Sequence, residues 1–180
     1  MVGFTKAVQS LFKRWLRSED GMAAVEAAMV FPILLTLLLG TYDLGNAVLA
    51  NQKTIRASQV VADLITRNSS VDTAMINDSI DAGELALEPF PTASFGVDIV
   101  SISFDDAGAA SIDWRETQNM TPLADVLTRV AALSESGDGV LVVATEYDFE
   151  PIFAGFLINT ISMQEVAFAR GRKGATIERN

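Results

Sequence analysis

Residues 22–40 read MAAVEAAMVFPILLTLLLG, and this stretch decides how the rest of the chain is arranged. Glu26 is its only charged residue. As an α-helix rising 1.5 Å per residue it spans about 28 Å, close to the hydrocarbon core of a bilayer. A cleaved secretory signal has a shorter apolar core, no acid inside it and a small-residue site at its end, whereas here the stretch runs on into TYDLGN. The sequence therefore predicts one transmembrane helix.

Charge is distributed unevenly on the two sides of this helix. The first 17 residues contain four basic side chains and no acid, whereas residues 22–180 contain nine basic and 21 acidic side chains. The positive-inside rule predicts that the N-terminus stays in the cytoplasm and that the acidic part is exported. An acidic head also argues against binding nucleic acid, because that binding depends on neutralising phosphates with Lys and Arg.

The composition also restricts the chemistry available to the chain. It contains neither cysteine nor histidine. The Ser-His and Cys-His dyads, and every metal site built on thiolate or imidazole, are therefore excluded. The sequence predicts a protein that is not an enzyme and that has no cofactor, no metal site and no catalytic residue.

The helical pattern continues beyond the membrane segment. No proline intervenes between Thr41 and Arg67, which predicts one helix from Met22 to Arg67, closed by Asn68-Ser69-Ser70. Polar residues recur along one side of its outer half at steps of three, four and seven. The opposite side, which is predicted to pack on the head, carries Leu44, Val48, Ile55, Ala62 and Ile65.

The remaining sequence predicts an α+β head. Residues 71–87 read as a second helix with Ser70 as its N-cap, and residues 123–133 as a short third one. Alternating apolar residues predict a hairpin, in which Ala110, Ile112 and Trp114 share one face of its second strand. Its strands are 97–104 and 110–115, around a turn at 105–108, and two further strands are predicted at 140–149 and 161–170. We expect an antiparallel sheet of about four strands.

The junction before the apolar stretch carries a recognisable motif. It reads RSEDGMAAVE from Arg17 to Glu26. A small residue followed five positions later by a carboxylate inside an apolar helix is the pattern that type IV prepilin peptidases recognise. With Pro32 six residues after Glu26, the segment GMAAVEAAMVFPILLTLLLG resembles the N-terminal signature of TadE-like proteins. The VVATEYDFEPIF stretch near the C-terminus is similar to that family more loosely. The longer TadG-like relatives share the signature, but 180 residues leave no room for their large added domain.

The resemblance implies a pilin-like fold and a role in a bacterial pilus. It implies cleavage between Gly21 and Met22 by a prepilin peptidase, and a single-pass location in the inner membrane. The function implied is that of a minor pilin, or pseudopilin, which assembles a tight-adherence (Flp type IVb) pilus for surface adhesion and biofilm formation. Its partners would be the major pilin, a sister minor pilin and an inner-membrane assembly platform. The alternative is an uncleaved, membrane-anchored scaffold or accessory protein of the same machinery.

These expectations divide the chain into four parts. They are a basic cytoplasmic leader, a transmembrane helix, a periplasmic continuation of that helix and a globular periplasmic head. Their predicted limits are residues 1–21, 22–40, 41–67 and 68–180.

Glu26 and Pro32 are the residues predicted to act in subunit register and assembly. A carboxylate at the centre of a spanning helix costs about 2.5 to 3.5 kcal/mol on insertion scales, so it usually has a function. Cleavage after Gly21 would create an ammonium group on Met22, and in a filament this group can meet the Glu26 of a neighbouring subunit. Alternatively, Glu26 lies near the cytoplasmic interface and extends toward lipid headgroups. Pro32 either packs specifically or only kinks the anchor.

A second candidate contact lies between the last two predicted strands. Residues 151–158 read PIFAGFLI, which is almost wholly apolar although a surface loop is expected there. Phe153, Phe156 and Ile158 either close the core of the head or meet a partner pilin or the periplasmic face of the membrane.

Overall fold

The computed structural model describes residue 13 and residues 19–135, 137–155 and 159–180. The chain divides into two compact units, residues 1–44 and residues 45–180, and the second unit is called the head below. Helix α1 runs from Glu19 to Thr66 and is 48 residues long. The prediction of one long helix is confirmed, since its observed ends lie within three residues of the predicted ones.

Within its described residues the head contains eight further α-helices and strands, and a 3-10 helix at Ala131–Leu133. In chain order they are β1 (Ser70–Val71), α2 (Thr73–Leu87), β2 (Gly96–Phe104), β3 (Ala110–Gln118), α3 (Val126–Val130), β4 (Gly139–Phe149), β5 (Ile161–Ala169) and β6 (Glu178–Arg179). Strands β2 to β5 form an antiparallel sheet in the order β3-β2-β4-β5. The α+β class and the four-stranded antiparallel sheet are therefore confirmed.

The two central strands, β2 and β4, are buried on both faces, which explains why they are so apolar. One face packs with residues of α1 and α2 in a cluster that includes Val61, Ile80 and Val143. The other face is covered by α3, where Val126 and Val130 pack with Val142. A strand buried on both faces reads as a nearly continuous apolar run, as VLVVA does in β4.

Small side chains form much of the buried face of α1 in the head, and the predicted face is correct only in its second half. Ala62 and Ile65 are buried as predicted and Ile55 is half-buried, but Leu44 is exposed. Ala47, Ala50, Thr54 and Ala57 are buried, whereas Val48, predicted to pack inward, is exposed. Thr54 remains satisfied because its hydroxyl donates to the Ala50 carbonyl at 3.0 Å. Small residues allow α1 to approach its neighbours closely, so hydrophobicity alone did not identify the contact face.

Helix α2 also packs closely against α1. A Cβ placed on Gly83 would lie 2.7 Å from the Val61 side chain. The predicted N-cap of α2, Ser70, is wrong. Ser70 belongs to β1, and the Asp72 carboxylate caps the helix by accepting a hydrogen bond from the Met75 amide at 2.8 Å. Asp72 therefore satisfies an amide that has no partner within the helix.

The β2–β3 hairpin is confirmed, but the face assigned to Trp114 is wrong. Ile102 pairs with Ile112 and Ser101 pairs with Trp114, so β3 has one residue more than β2 at this point. This bulge moves Trp114 to the face opposite Ile112. The Trp114 indole NH then donates to the Ile177 carbonyl at 2.6 Å.

The C-terminal segment, which the sequence did not predict to be ordered, closes the far end of the head. Strand β6 pairs in parallel with β1. The Arg172 amide donates to the Thr66 carbonyl at 3.0 Å and so satisfies a carbonyl in the last turn of α1. Ile177 is buried, and its carbonyl also accepts from the Ser101 hydroxyl at 3.4 Å.

A buried carboxylate joins β2, β3 and the segment before α3. Asp98 has no exposed surface, and its oxygens accept from the Arg115 guanidinium (Nε at 2.8 Å), the Thr117 hydroxyl at 2.7 Å and the Leu123 amide at 2.9 Å. Burial acts to raise the pKa of Asp98, but the hydrogen bonds from Arg115, Thr117 and Leu123 outweigh it and hold this pKa below its ordinary value. The ionised form is thus the one that the fold stabilises.

Asp98→Asn is therefore expected to lower the free energy of unfolding of the head by about 3 kcal/mol, the low end for a broken buried pair, because Arg115 can still reach water. Denaturation in detergent, followed by the fluorescence of Trp114 in a Trp15→Phe background, measures this change. Because the folded pKa of Asp98 is lowered, its contribution is complete above the ordinary aspartate pKa of about 3.9 and is lost as the pH falls below it. The exposed Asp113→Asn on β3 is the control and should change stability little. Equal losses for both variants would contradict the assignment.

Candidate processing and assembly site

The predicted cleavage junction lies in the first turn of α1. The helix begins at Glu19, so Gly21 and Met22 are already helical. Gly21 is buried, whereas the Met22 side chain is 62% exposed. Lys6, Arg14, Arg17 and most of the predicted leader lie outside the described residues.

Glu26 lies one helical turn beyond Met22. Residues four apart occupy the same face of a helix, with an axial rise of about 6 Å between them. The Glu26 side chain is exposed, and so are those of Val25, Met29 and Val30 around it. Within the described part of the chain, the Glu26 carboxylate forms no ion pair or hydrogen bond. It therefore stands as a single acid on an apolar surface.

Pro32 lies inside α1, six residues after Glu26. Because proline has no amide hydrogen, the carbonyl of Ala28 loses its helical partner at this point. The Thr36 hydroxyl donates to the Pro32 carbonyl at 2.8 Å, and the Thr41 hydroxyl donates to the Leu37 carbonyl at 2.7 Å. The hydroxyl groups of Thr36 and Thr41 therefore have hydrogen-bond partners within their own helix. In the core of a bilayer, where no water is present, a polar group needs such an internal partner.

The surface of α1 around these residues is apolar. Large side chains are exposed along its first half, namely Met22, Val25, Met29, Val30, Phe31, Ile33, Leu34, Leu35, Leu37 and Leu38. The described residues contain one helix that is long and apolar enough to cross a membrane, and it is this one. An exposed apolar surface of this extent needs a cover of lipid or of other helices. The long apolar helix thus supports membrane anchoring.

The second candidate contact is described only in part. Phe156 and Ile158 lie outside the described residues. Phe153 is 42% exposed, and its neighbour Ile152 is 68% exposed, while Pro151 is buried. Ile152 was not singled out from the sequence, although its position in an apolar run between two strands was a sufficient signal.

Nothing in the described residues suggests a metal centre. They contain no group of three or more His, Cys, Asp or Glu side chains that could hold a metal ion. The most deeply buried acid, Asp98, is fully occupied by Arg115, Thr117 and Leu123.

Comparison with known proteins agrees with the junction motif. A family model described as TadE-like protein matches residues 21–63, which begin at the junction glycine and include Glu26 and Pro32. The match supports membership of the TadE-like family. No curated protein and no solved structure matches the chain.

The TadE-like match covers most of α1 and ends before the sheet. It indicates a protein related to a tight-adherence pilus, in a structural or accessory family, with partners in that pilus system. The matched segment contains the exposed apolar surface of α1, Glu26 and the Gly21-Met22 junction. The rest of the chain, from Leu64 onward, lies outside the match and is described by the structure alone.

Proposed function

We propose that the chain is a minor pilin, or pseudopilin, needed to assemble a tight-adherence (Flp type IVb) pilus that serves surface adhesion and biofilm formation. Residues 1–21 are its cytoplasmic leader, residues 22–40 cross the bacterial inner membrane, residues 41–67 continue the helix in the periplasm, and residues 68–180 form the periplasmic head. The observation that carries the proposal is the position of Glu26, an acid with no partner among the described residues, on the apolar surface of α1 one turn beyond the Gly21-Met22 junction.

When a prepilin peptidase cuts between Gly21 and Met22, it creates a positive charge that can pair with the Glu26 carboxylate. The new ammonium group on Met22 lies on the same face as Glu26, and helical side chains lean toward the N-terminus, which brings the carboxylate toward this group. In a free subunit the two groups of one chain can neutralise each other. In a filament, the amine of one subunit can instead meet the Glu26 of a neighbour.

The energies allow this pair to set the register between subunits. At 4 Å and an effective dielectric constant of about 20, the attraction is about 4 kcal/mol before desolvation. A carboxylate in the centre of a spanning helix costs about 2.5 to 3.5 kcal/mol. The two terms are comparable, so the pair adds little net stability. The pairing does, however, disfavour any arrangement in which Glu26 faces lipid without a counter-charge. Pro32 fixes the shape of the helix where it packs near Glu26.

The structure also contains an observation that favours the alternative, an uncleaved scaffold or accessory protein. Gly21 is buried and already helical, so its peptide bond is not presented in an extended form. In this alternative the leader remains attached, and α1 serves only as an anchor for the head within the pilus machinery.

The N-terminal residue of the protein recovered from membranes distinguishes the two functions. Processing removes residues 1–21, so we expect an N-terminal Met22 and a mass of 159 residues instead of 180. Intact-mass measurement of the protein extracted from cells that carry the prepilin peptidase gives the answer. Cells without that peptidase are the control and should yield the full-length chain. A full-length chain in both would support the scaffold.

A further inference from the structure

A pocket of about 410 Å³ lies in the head between α2, the segment that follows it and the end of β3. Its floor is formed by three buried apolar side chains, those of Ile80, Phe95 and Val97. The polar side chains that line it are Glu84, Thr92, Gln118 and Asn119. All of these residues belong to the head, and together they combine an apolar floor with a polar rim.

The walls of the pocket are held in place by hydrogen bonds within the head. The Asn119 side-chain amide donates to the carbonyls of Ala93 and Phe95 at 3.2 and 2.8 Å. Asn119 itself has a φ of 53°, in the left-handed region, which is uncommon for a residue other than glycine. The Ser94 hydroxyl donates to the Asp148 carbonyl at 3.1 Å and ties the same segment to β4. The pocket is therefore formed without a ligand.

Three polar side chains of the rim are left without a partner. In the part of the chain that the structure describes, the side chains of Glu84, Thr92 and Gln118 form no hydrogen bond or ion pair. They supply a carboxylate, a hydroxyl and a carboxamide, each with an oxygen that can accept a hydrogen bond. No lysine or arginine is among the described residues that line the pocket. The rim thus calls for a donor, and for a positively charged one because Glu84 carries the opposite charge.

The charge around the pocket also favours a cation. Residues 45–180 contain 19 acidic and nine basic side chains. Helix α2 alone contains Asp78, Asp81 and Glu84 and no basic residue. Because this excess of negative charge attracts cations and repels anions, this side of the head selects positively charged ligands.

The lysines of the head do not supply this cation. The Lys53 ammonium donates to the Ala86 carbonyl at 3.4 Å. Lys173 follows β5, at the end of the sheet where β5 pairs with Leu141. The pocket lies toward the opposite end, where Glu146 pairs with the start of β2. The cation therefore comes from another molecule.

We propose that this pocket binds the side chain of a lysine on a partner protein. Lysine stems lie along apolar surfaces while their ammonium groups stay in polar surroundings, which matches the floor and the rim of the pocket. The ammonium has three donors, and Glu84, Thr92 and Gln118 offer three separate acceptors. A guanidinium is planar and suits the two oxygens of one carboxylate, so arginine fits this rim less well. The site uses the head alone, so it depends neither on processing nor on a role in a pilus.

Methyl NMR of the full-length protein in detergent tests this site, with N-acetyl-lysine amide as the probe. Both ends of the probe's backbone are blocked, so it represents a lysine inside a protein chain. Ile80 and Val97 supply methyl groups in the pocket, and Val130, which packs on the other face of the sheet, supplies a reference. N-acetyl-norleucine amide is the matched control probe, because it keeps the aliphatic stem but lacks the ammonium. Cadaverine carries the same ammonium on a free small molecule.

We expect the lysine probe to shift the methyl signals of Ile80 and Val97 and to leave those of Val130 unchanged, with a Kd in the millimolar range for a single side chain. Glu84→Gln should weaken this binding about tenfold, because a hydrogen bond between two charged groups is lost. Asp81→Asn removes an exposed acid of α2 that does not line the pocket, and it should bind as the wild type does. Methyl signals that are otherwise unchanged in each variant show that the head is folded.

Four outcomes would overturn the proposal. The first is the absence of any shift at the pocket methyl groups, and the second is an equal shift from the norleucine probe, which would reduce the pocket to an apolar crevice. The third is a Glu84→Gln chain that binds the lysine probe as tightly as the wild type. We expect cadaverine to bind no more tightly than the lysine probe, and binding more than about tenfold tighter would assign the site to a free amine instead.

Discussion

Gly21→Leu is expected to abolish removal of the leader while the chain still enters the membrane. The intact mass of protein from membranes should remain that of 180 residues rather than fall to 159. The physical reason is the size of the side chain next to the proposed cut, since leucine crowds a protease subsite that accepts glycine. Insertion should be unaffected, because leucine is apolar and a good helix former, and resistance to alkaline extraction measures it.

Two control variants separate side-chain bulk from helix stability. Leucine also stabilises the first turn of α1 relative to glycine, by up to about 1 kcal/mol, which could by itself hinder unwinding of the bond. Gly21→Ala stabilises the helix at least as much but adds one methyl group, so we expect it to be processed. Gly45→Leu places the same side chain where a Cβ meets no other atom, and it should be processed as well. A Gly21→Leu chain that loses its leader, or a Gly21→Ala chain that keeps it, would contradict the role assigned to bulk at this position.

The elements of the fold could be predicted wherever one periodicity extends over a long segment. The long helical run from Met22 to Arg67 predicted α1, which ends at Thr66, and the change to a period of two after Val97 predicted the hairpin. The apolar runs at 140–149 and 161–170 predicted β4 and β5 within one residue of their observed limits. These signals depend on local chemistry alone, which is why a single sequence carries them.

The errors occur where packing depends on distant residues. The face of α1 that packs in the head carries Ala47, Ala50 and Ala57, and a search for large apolar residues chose Val48 instead. The bulge that turns Trp114 toward Ile177 depends on how β3 pairs with β2, and the hydrophobic periodicity of one strand does not reveal that pairing. Strand β6 is two residues long and is defined by its bonds to Ser69 and Val71, so no local pattern marked it.

The candidate site could be predicted as a set of positions but not as a set of contacts. The spacing of Gly21, Glu26 and Pro32 was visible in the sequence, because all three lie on one helix whose geometry is regular. What meets Glu26 could not be read from the spacing, since its proposed partner is a charge that exists only after cleavage. The β4–β5 connection was visible as an apolar run.

Glu26→Ala is expected to abolish piliation while leaving insertion and cleavage intact. Removing the carboxylate lowers the cost of placing this helix in a bilayer, so membrane-bound protein should be at least as abundant as wild type. Cleavage should continue because Gly21 and Met22 are unchanged. Assembly should fail because a neighbouring ammonium group then lies in an apolar surrounding without a counter-charge. Electron microscopy and the amount of pilin sheared from cells measure piliation, and the intact mass measures cleavage.

Two conservative variants determine whether charge is the property that matters. Glu26→Gln keeps the size and shape of the side chain but cannot be ionised, so we expect it to fail as Glu26→Ala does. Glu26→Asp keeps the charge on a side chain shorter by one methylene and should restore pili in part. Alanine substitution at Met29, an exposed neighbour three residues further along α1, is the control for a general change of surface and should leave pili present. Normal pili with Glu26→Gln would show that Glu26 is a tolerated interfacial acid, because the loss of its charge would then have no effect on how subunits align.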